Sequence, residues 1–213
     1  MQKRIVTVLG LFLAAAALLP SCTKNEDTTI VPIGEEGYVE DIFTVVSDLA
    51  FWADFGSCPQ GAIPPDIQGK YLVARKKGVA TNMPGLQLNV PFWEPNMEVR
   101  FVTQHNGLAV MELTEATETL TDTVFVMGNG KSFTAYCIED KHIEEPFQGG
   151  TYHVDMRRGI VIKGTISEAG IANFRMGTII LSESNDSHGA ILPHSEGDYC
   201  IYEDEDGLAE RME

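Results

Sequence analysis

"GIVIKGTISEAGIANFRMGTIIL", residues 159–181, holds two apolar runs joined by the short link Ser167–Gly170. In the second run Phe174, Met176 and Ile180 alternate with Arg175 and Gly177. A period of two with one polar face marks a half-buried antiparallel strand. A short glycine-bearing link supplies the positive φ that a tight hairpin demands. The stretch reads as a β-hairpin.

The same pattern recurs outward from it. Strand-like runs fall at 69–75, 98–104, 108–114, 122–127, 132–138, 151–156 and 198–204, making about nine with the two above. In 98–104, for example, Val99, Phe101 and Thr103 alternate with Glu98, Arg100 and Gln104. "HNG" (105–107), "GNGK" (128–131) and "RRG" (157–159) are further short links. Sequential neighbours joined this way describe an antiparallel meander in an all-β domain. It either closes into a barrel or folds into a two-layer sandwich. Closure removes exposed edges, which favours the barrel.

Ahead of the strands, "YVEDIFTVVSDLAFWADF" (38–55) places Ile42, Val45, Val46, Leu49 and Phe51–Trp52 near helical spacing. One amphipathic helix, Val39 to Ala53, is expected there, over one end or flank of the β domain. The Gly- and Pro-rich "GSCPQGAIPPD" (56–66) ends it. The helix and residues 56–213 form one folded unit, a size that buries a core without staples.

The chain start is of another kind. Lys3 and Arg4 precede an apolar run, Ile5 to Leu19, that is short for a membrane span and suits a secretory signal over residues 1–21. "LPSC" (19–22) resembles the lipobox of bacterial lipoproteins. That resemblance implies a diacylglycerol on the Cys22 thiol, cleavage before Cys22, and anchoring by two or more acyl chains. Residues 22–37 are then a flexible polar tether. "CTKNED" (22–27) is similar to the export signal of Bacteroidota surface lipoproteins, which implies outer-membrane attachment facing outward. An ordinary solvated linker in a periplasm-facing lipoprotein is the alternative.

Three further segments, "DIQGKYLVARK" (66–76), 164–183 and "GDYCIYEDEDGLAE" (197–210), resemble small Bacteroidota lipoproteins with a β-rich, lipocalin-like domain. The first also resembles the opening strand of lipocalin-like barrels. The resemblance covers about half of the mature chain and implies no particular activity, since a shared fold does not carry function.

Charge and motif content exclude several functions. The formal net charge is −16, and it becomes −18 once residues 1–21, with Lys3 and Arg4 and no acid, are removed. So acidic a chain is a poor partner for phosphate backbones, and nucleic acid is not expected. No G-x-S-x-G elbow or phosphate-binding glycine loop is present. Cys58 in "FGSCPQG" reads as a loop cysteine, because Pro59 stands where a nucleophile helix would begin. His105, His142, His153, His188 and His194 show no H-E-x-x-H or clustered spacing, and His188 and His194, which share one loop, read as solvated residues in preference to a weak zinc site. "YEDEDG" (202–207) reads as an acidic hairpin turn, since Tyr202 occupies the first place a calcium loop needs. "RKK" (75–77) reads as a solvated strand end. No catalytic residue, metal or cofactor is expected.

Cys137 and Cys200 both fall mid-strand, so a disulfide between them is the first expectation. Three buried thiols are the alternative. Phe92 and Trp93, between two prolines in "VPFWEP" (90–95), are the candidate ligand contacts, though such rings also plug barrel ends. The expected function is that of a non-enzymatic outer-membrane lipoprotein binding a small molecule, a glycan or a protein. The alternative is a structural or assembly component of an envelope complex without a small ligand.

Overall fold

In the computed structural model, residues 42–83, 85, 88–89, 96–147, 150–185 and 195–213 are described. The hairpin of residues 159–181 is present. Its strands, β7 (Gly150–Ile166) and β8 (Gly170–Ser184), pair antiparallel from Ile166↔Ile171 to Asp155↔Ser184. Ser167 N–H donates to Gly170 O at 2.8 Å and Gly170 N–H to Ser167 O at 3.3 Å, closing the link.

The rest of the chain extends this pairing until it meets itself. Strands β3 (Met97–His105), β4 (Leu108–Glu115), β5 (Glu118–Asn129) and β6 (Ser132–Phe147) meander into β7. β1 (Gly69–Val73) pairs with β3 on one side and with β10 (Leu208–Met212) on the other, and β10 pairs with β8. The hydrogen-bonded circuit β1-β3-β4-β5-β6-β7-β8-β10 therefore returns to its start. Alongside, β2 (Lys76–Thr81) pairs with β9 (Tyr199–Asp204), and β9 with β8. Lys70↔Met212 and Thr81↔Cys200 lie along one antiparallel seam, so β1 and β2 are a single bent run, as are β9 and β10. Ten segments thus make an eight-run antiparallel meander. The strands do not stand evenly about one axis, an arrangement that fits a barrel or a two-layer sandwich.

Turn chemistry explains most of the links. Asn106 and Gly107 take φ of 50° and 78° between β3 and β4, and Gly130 takes 64° between β5 and β6. The β4–β5 turn does the same with Ala116 at 53°, a residue that gives no turn signal. "RRG" is not a turn. Arg157 and Arg158 sit within β7, at a bulge in its pairing with β8, and "TYHVDM" and "GIVIKGTI" are one strand. The acidic "EDEDG" is a bend between two collinear runs and not a hairpin.

The helical segment breaks in two, α1 (Ile42–Val45) and α2 (Leu49–Phe55). Asp48 causes the break: its carboxylate accepts the backbone N–H groups of Ala50 (2.7 Å) and Phe51 (3.1 Å), an N-cap that starts a new helix. Gly56, at φ 80°, ends α2 by returning its N–H to Trp52 O. The last carbonyls of α2 are met by cations from the sheet. Phe55 O accepts from Lys163 Nζ (2.6 Å) and Arg175 Nη1 (3.0 Å), which also suits the helix dipole.

Two apolar layers share the sheet. One draws Tyr71, Met97, Phe101, Met111, Val126, Phe133, Ile162, Phe174 and Ala209 from every strand of the circuit and fills the ring. The other lies on the outside, where Ile42, Phe51, Trp52 and Phe55 cover Met127, Tyr136, Val161, Ile179 and Ile201. Consecutive residues of β7 alternate between them, Ile160 and Ile162 inward and Val161 outward. The flanking helices therefore explain why these strands are apolar on both faces. Glycines admit them: a Cβ on Gly177 would lie 2.8 Å from the Phe51 ring, and one on Gly159 would lie 2.9 Å from Ile42 Cδ1.

Candidate functional site

The β6–β7 ladder runs without a break from Ser132↔Thr165 to Phe147↔Gly150. Strand alternation then fixes which side chains share a face. Tyr136 of β6 and Val161 of β7 belong to the outer layer, so His142 and Glu144 on β6, with His153 and Asp155 on β7, point outward as well. The register sets His142 opposite Asp155 and Glu144 opposite His153, a square of four polar groups on one face.

The contacts are close. His142 Nδ1 lies 2.6 Å from Asp155 Oδ1, and its Nε2 lies 3.4 Å from Glu144 Oε1. The same Glu144 oxygen lies 3.2 Å from His153 Nδ1. The two imidazoles stack with centroids 6.1 Å apart and planes at 26°. Asn185 donates its side-chain amide to the other Asp155 oxygen. The hydrogen bond to Asp155, with that to Glu144 after it, raises the pKa of His142 above its ordinary value. The bonds from Asn185 and then His142 hold Asp155 below the usual carboxylate range. All four groups are open to solvent. One ligand atom from each of His142, Glu144 and His153 lies within 4.8 Å of the others, which gives the set the means to hold a metal ion.

These two histidines are brought together by strand pairing, which corrects their reading as unclustered. The signal in the sequence was "HIE" (142–144) and "HVD" (153–155), placed symmetrically about positions 148–149. It becomes visible only once β6 and β7 are known to pair there.

The other expected site residues fare differently. Cys22, Phe92 and Trp93, with His188 and His194, lie outside the described residues. The expected Cys137–Cys200 bridge is not formed: both are buried free thiols. Cys137 is on β6 and Cys200 on β9, three inter-strand steps apart by way of β7 and β8. At roughly 4.8 Å a step that is well beyond the ~7 Å Cα limit of a disulfide. Burial, above all, pushes both thiols up from their ordinary pKa, so neither is a nucleophile at neutral pH. Cys58 is buried against Gly56 O.

The charged motifs are structural. Lys76 of "RKK" is buried, paired with Glu115 and lying over the Tyr202 ring, which corrects its reading as solvated. Arg75 pairs with Glu205 at 2.7 Å. In the acidic bend, Asp204 accepts Ala74 N–H (2.9 Å) and Asp206 accepts Leu208 N–H (2.9 Å). An open depression of about 690 Å³ lies at the β3–β4 end, beside Ile63, Asp66, Gln104 and His105. Gln104 is occupied there in holding the loop, through Ile67 N–H and Pro65 O.

No helix among the described residues is long and apolar enough to cross a membrane. Compared with known proteins, the chain matches no family model, no curated protein and no solved structure.

Proposed function

We propose that the chain is a non-enzymatic outer-membrane lipoprotein, held by acyl chains on Cys22, whose β domain binds a partner at its outer surface. The observation that carries the binding half is the filled ring. Tyr71, Phe101, Phe133 and Phe174 are all at most 1 % exposed, with the Phe101 ring 6.3 Å from Tyr71 and 6.2 Å from Phe133. An interior occupied by its own aromatics is a scaffold and not a chamber, so recognition belongs to the outside and the loop ends. A protein or glycan meets such a surface more readily than a small apolar molecule does. The anchor half rests on "LPSC" and the polar stretch after it.

The second reading, a structural component of an envelope complex, draws support from the same filled interior.

Metabolic labelling with a fatty-acid analogue, followed by membrane fractionation, tests the proposal. The wild-type chain is expected to take up label and sediment with outer membranes, and Cys22→Ala to do neither. Membrane retention of unlabelled Cys22→Ala would refute it. External protease on intact cells then separates the outward-facing binder, which is cut, from the periplasm-facing component, which is protected.

A further inference from the structure

We propose that the outer face of the β6–β7 ladder is a zinc-class metal site, with His142, Glu144 and His153 as ligands and Asp155 as the group that orients His142. The inference rests on side-chain geometry alone and is independent of the anchor and of the partner-binding reading.

Two ligands bound to zinc at about 2.0–2.1 Å and spread tetrahedrally stand about 3.3 Å apart. Glu144 Oε1 lies 3.4 Å from His142 Nε2 and 3.2 Å from His153 Nδ1, close to that spacing with little adjustment. Two imidazoles and one carboxylate form the His₂Glu set that zinc accepts with a fourth position left to water or to another donor. Imidazole ligands select zinc and its late first-row neighbours over calcium and magnesium, which prefer all-oxygen sets.

The surroundings of the set favour coordination too. A metal-bound imidazole usually gives its second ring N–H to a carboxylate, which fixes the tautomer and aims the free nitrogen. His142 meets this condition: Nδ1 is 2.6 Å from Asp155, which leaves Nε2 directed at Glu144. Asp155 is itself held by Asn185, at the end of β8. The ligands stand on paired strands whose register is set by the long ladder below, so a rigid element and not a loop holds them. The face is open to solvent, so an ion enters freely and its fourth position faces outward.

The experiment is a Co²⁺ titration of the full mature chain in detergent, read by visible absorption, with Zn²⁺ competition. One Co²⁺ per chain is expected, with an intense four- or five-coordinate spectrum that Zn²⁺ abolishes and Ca²⁺ leaves unchanged. His142→Ala and His153→Ala should each lose the spectrum while keeping the wild-type thermal melt. Glu144→Gln should weaken binding. Asp155→Asn should bind about 10–100-fold more weakly yet reach the same final spectrum, the mark of an orienting group and not a ligand. A His188→Ala/His194→Ala variant should bind as wild type. Wild-type Co²⁺ binding by a His142→Ala/His153→Ala double variant would overturn the proposal. So would loss of binding in the His188→Ala/His194→Ala variant alone, or the absence of any specific Co²⁺ spectrum.

Discussion

Asp204 ties two bends together. It sits where β9 gives way to the bend before β10, only 4 % exposed, and its Oδ2 accepts the N–H of Ala74, where β1 gives way to β2. Replacing it by alanine leaves that N–H without its acceptor, a loss of about 1–3 kcal/mol, and Asp204→Asn should cost less because an amide oxygen still accepts. Burial is the main cause raising the carboxyl pKa in the folded state. A folded pKa above the unfolded one means that the folded chain holds the proton longer. Stability contributed by Asp204 is therefore full below about pH 4 and falls as pH rises from there through the raised value. The difference in urea midpoint between wild type and Asp204→Asn should thus shift against the wild type as pH rises from about 4 through the raised value. A constant difference across that range would contradict the assignment. None of this was legible in "YEDEDG", because the role of Asp204 depends on Ala74, 130 residues earlier in the chain.

At the scale of elements, the strands were read more reliably than their ends. Alternation located β3, because one of its faces is polar, and β8, where Arg175 and Gly177 interrupt the apolar run. "RRG" misled because Gly159 looks like turn punctuation, yet it serves close approach: Ile42 occupies the place its side chain would take. Reading a turn there cut β7 in half and hid the pairing of His142 and Glu144 with Asp155 and His153. The helical region was found from its apolar spacing, while its break at Asp48 was missed, although an Asp before an apolar run is a capping signal. Gly177 tests how α2 docks. A side chain there must displace the Phe51 and Phe55 rings, which stack at 5.5 Å, so Gly177→Val should destabilise by about 1–3 kcal/mol through overpacking. Near-UV circular dichroism should report the loosened aromatic cluster while the far-UV strand signal persists. An unchanged near-UV spectrum would argue against this packing.

For the whole molecule, the decisive feature is closure. The meander was readable from short links between neighbours, but the return of β10 to both β1 and β8 was not. Its five residues, "LAERM", carry no strong pattern, and long-range pairing leaves little local signal. Gly170 marks the seam. At φ +143° its absent Cβ would lie 2.0 Å from Ala209 O, so alanine there obstructs the β8–β10 ladder. Gly85, at φ +84°, has open space around it and gives the cost of a positive φ without a steric clash. Gly170→Ala should therefore lower the thermal midpoint well beyond Gly85→Ala, whose strain costs about 1–2 kcal/mol. Equal midpoints would mean that the seam contributes little.

Under the proposed function, an acyl anchor on Cys22 decides where the surface of the ring works. Intact mass of the chain purified from membranes tests this most directly. The account expects a polypeptide beginning at Cys22 and heavier by a diacylglycerol and a further acyl chain. A chain still carrying residues 1–21, or one cut elsewhere and bearing no lipid, would contradict it.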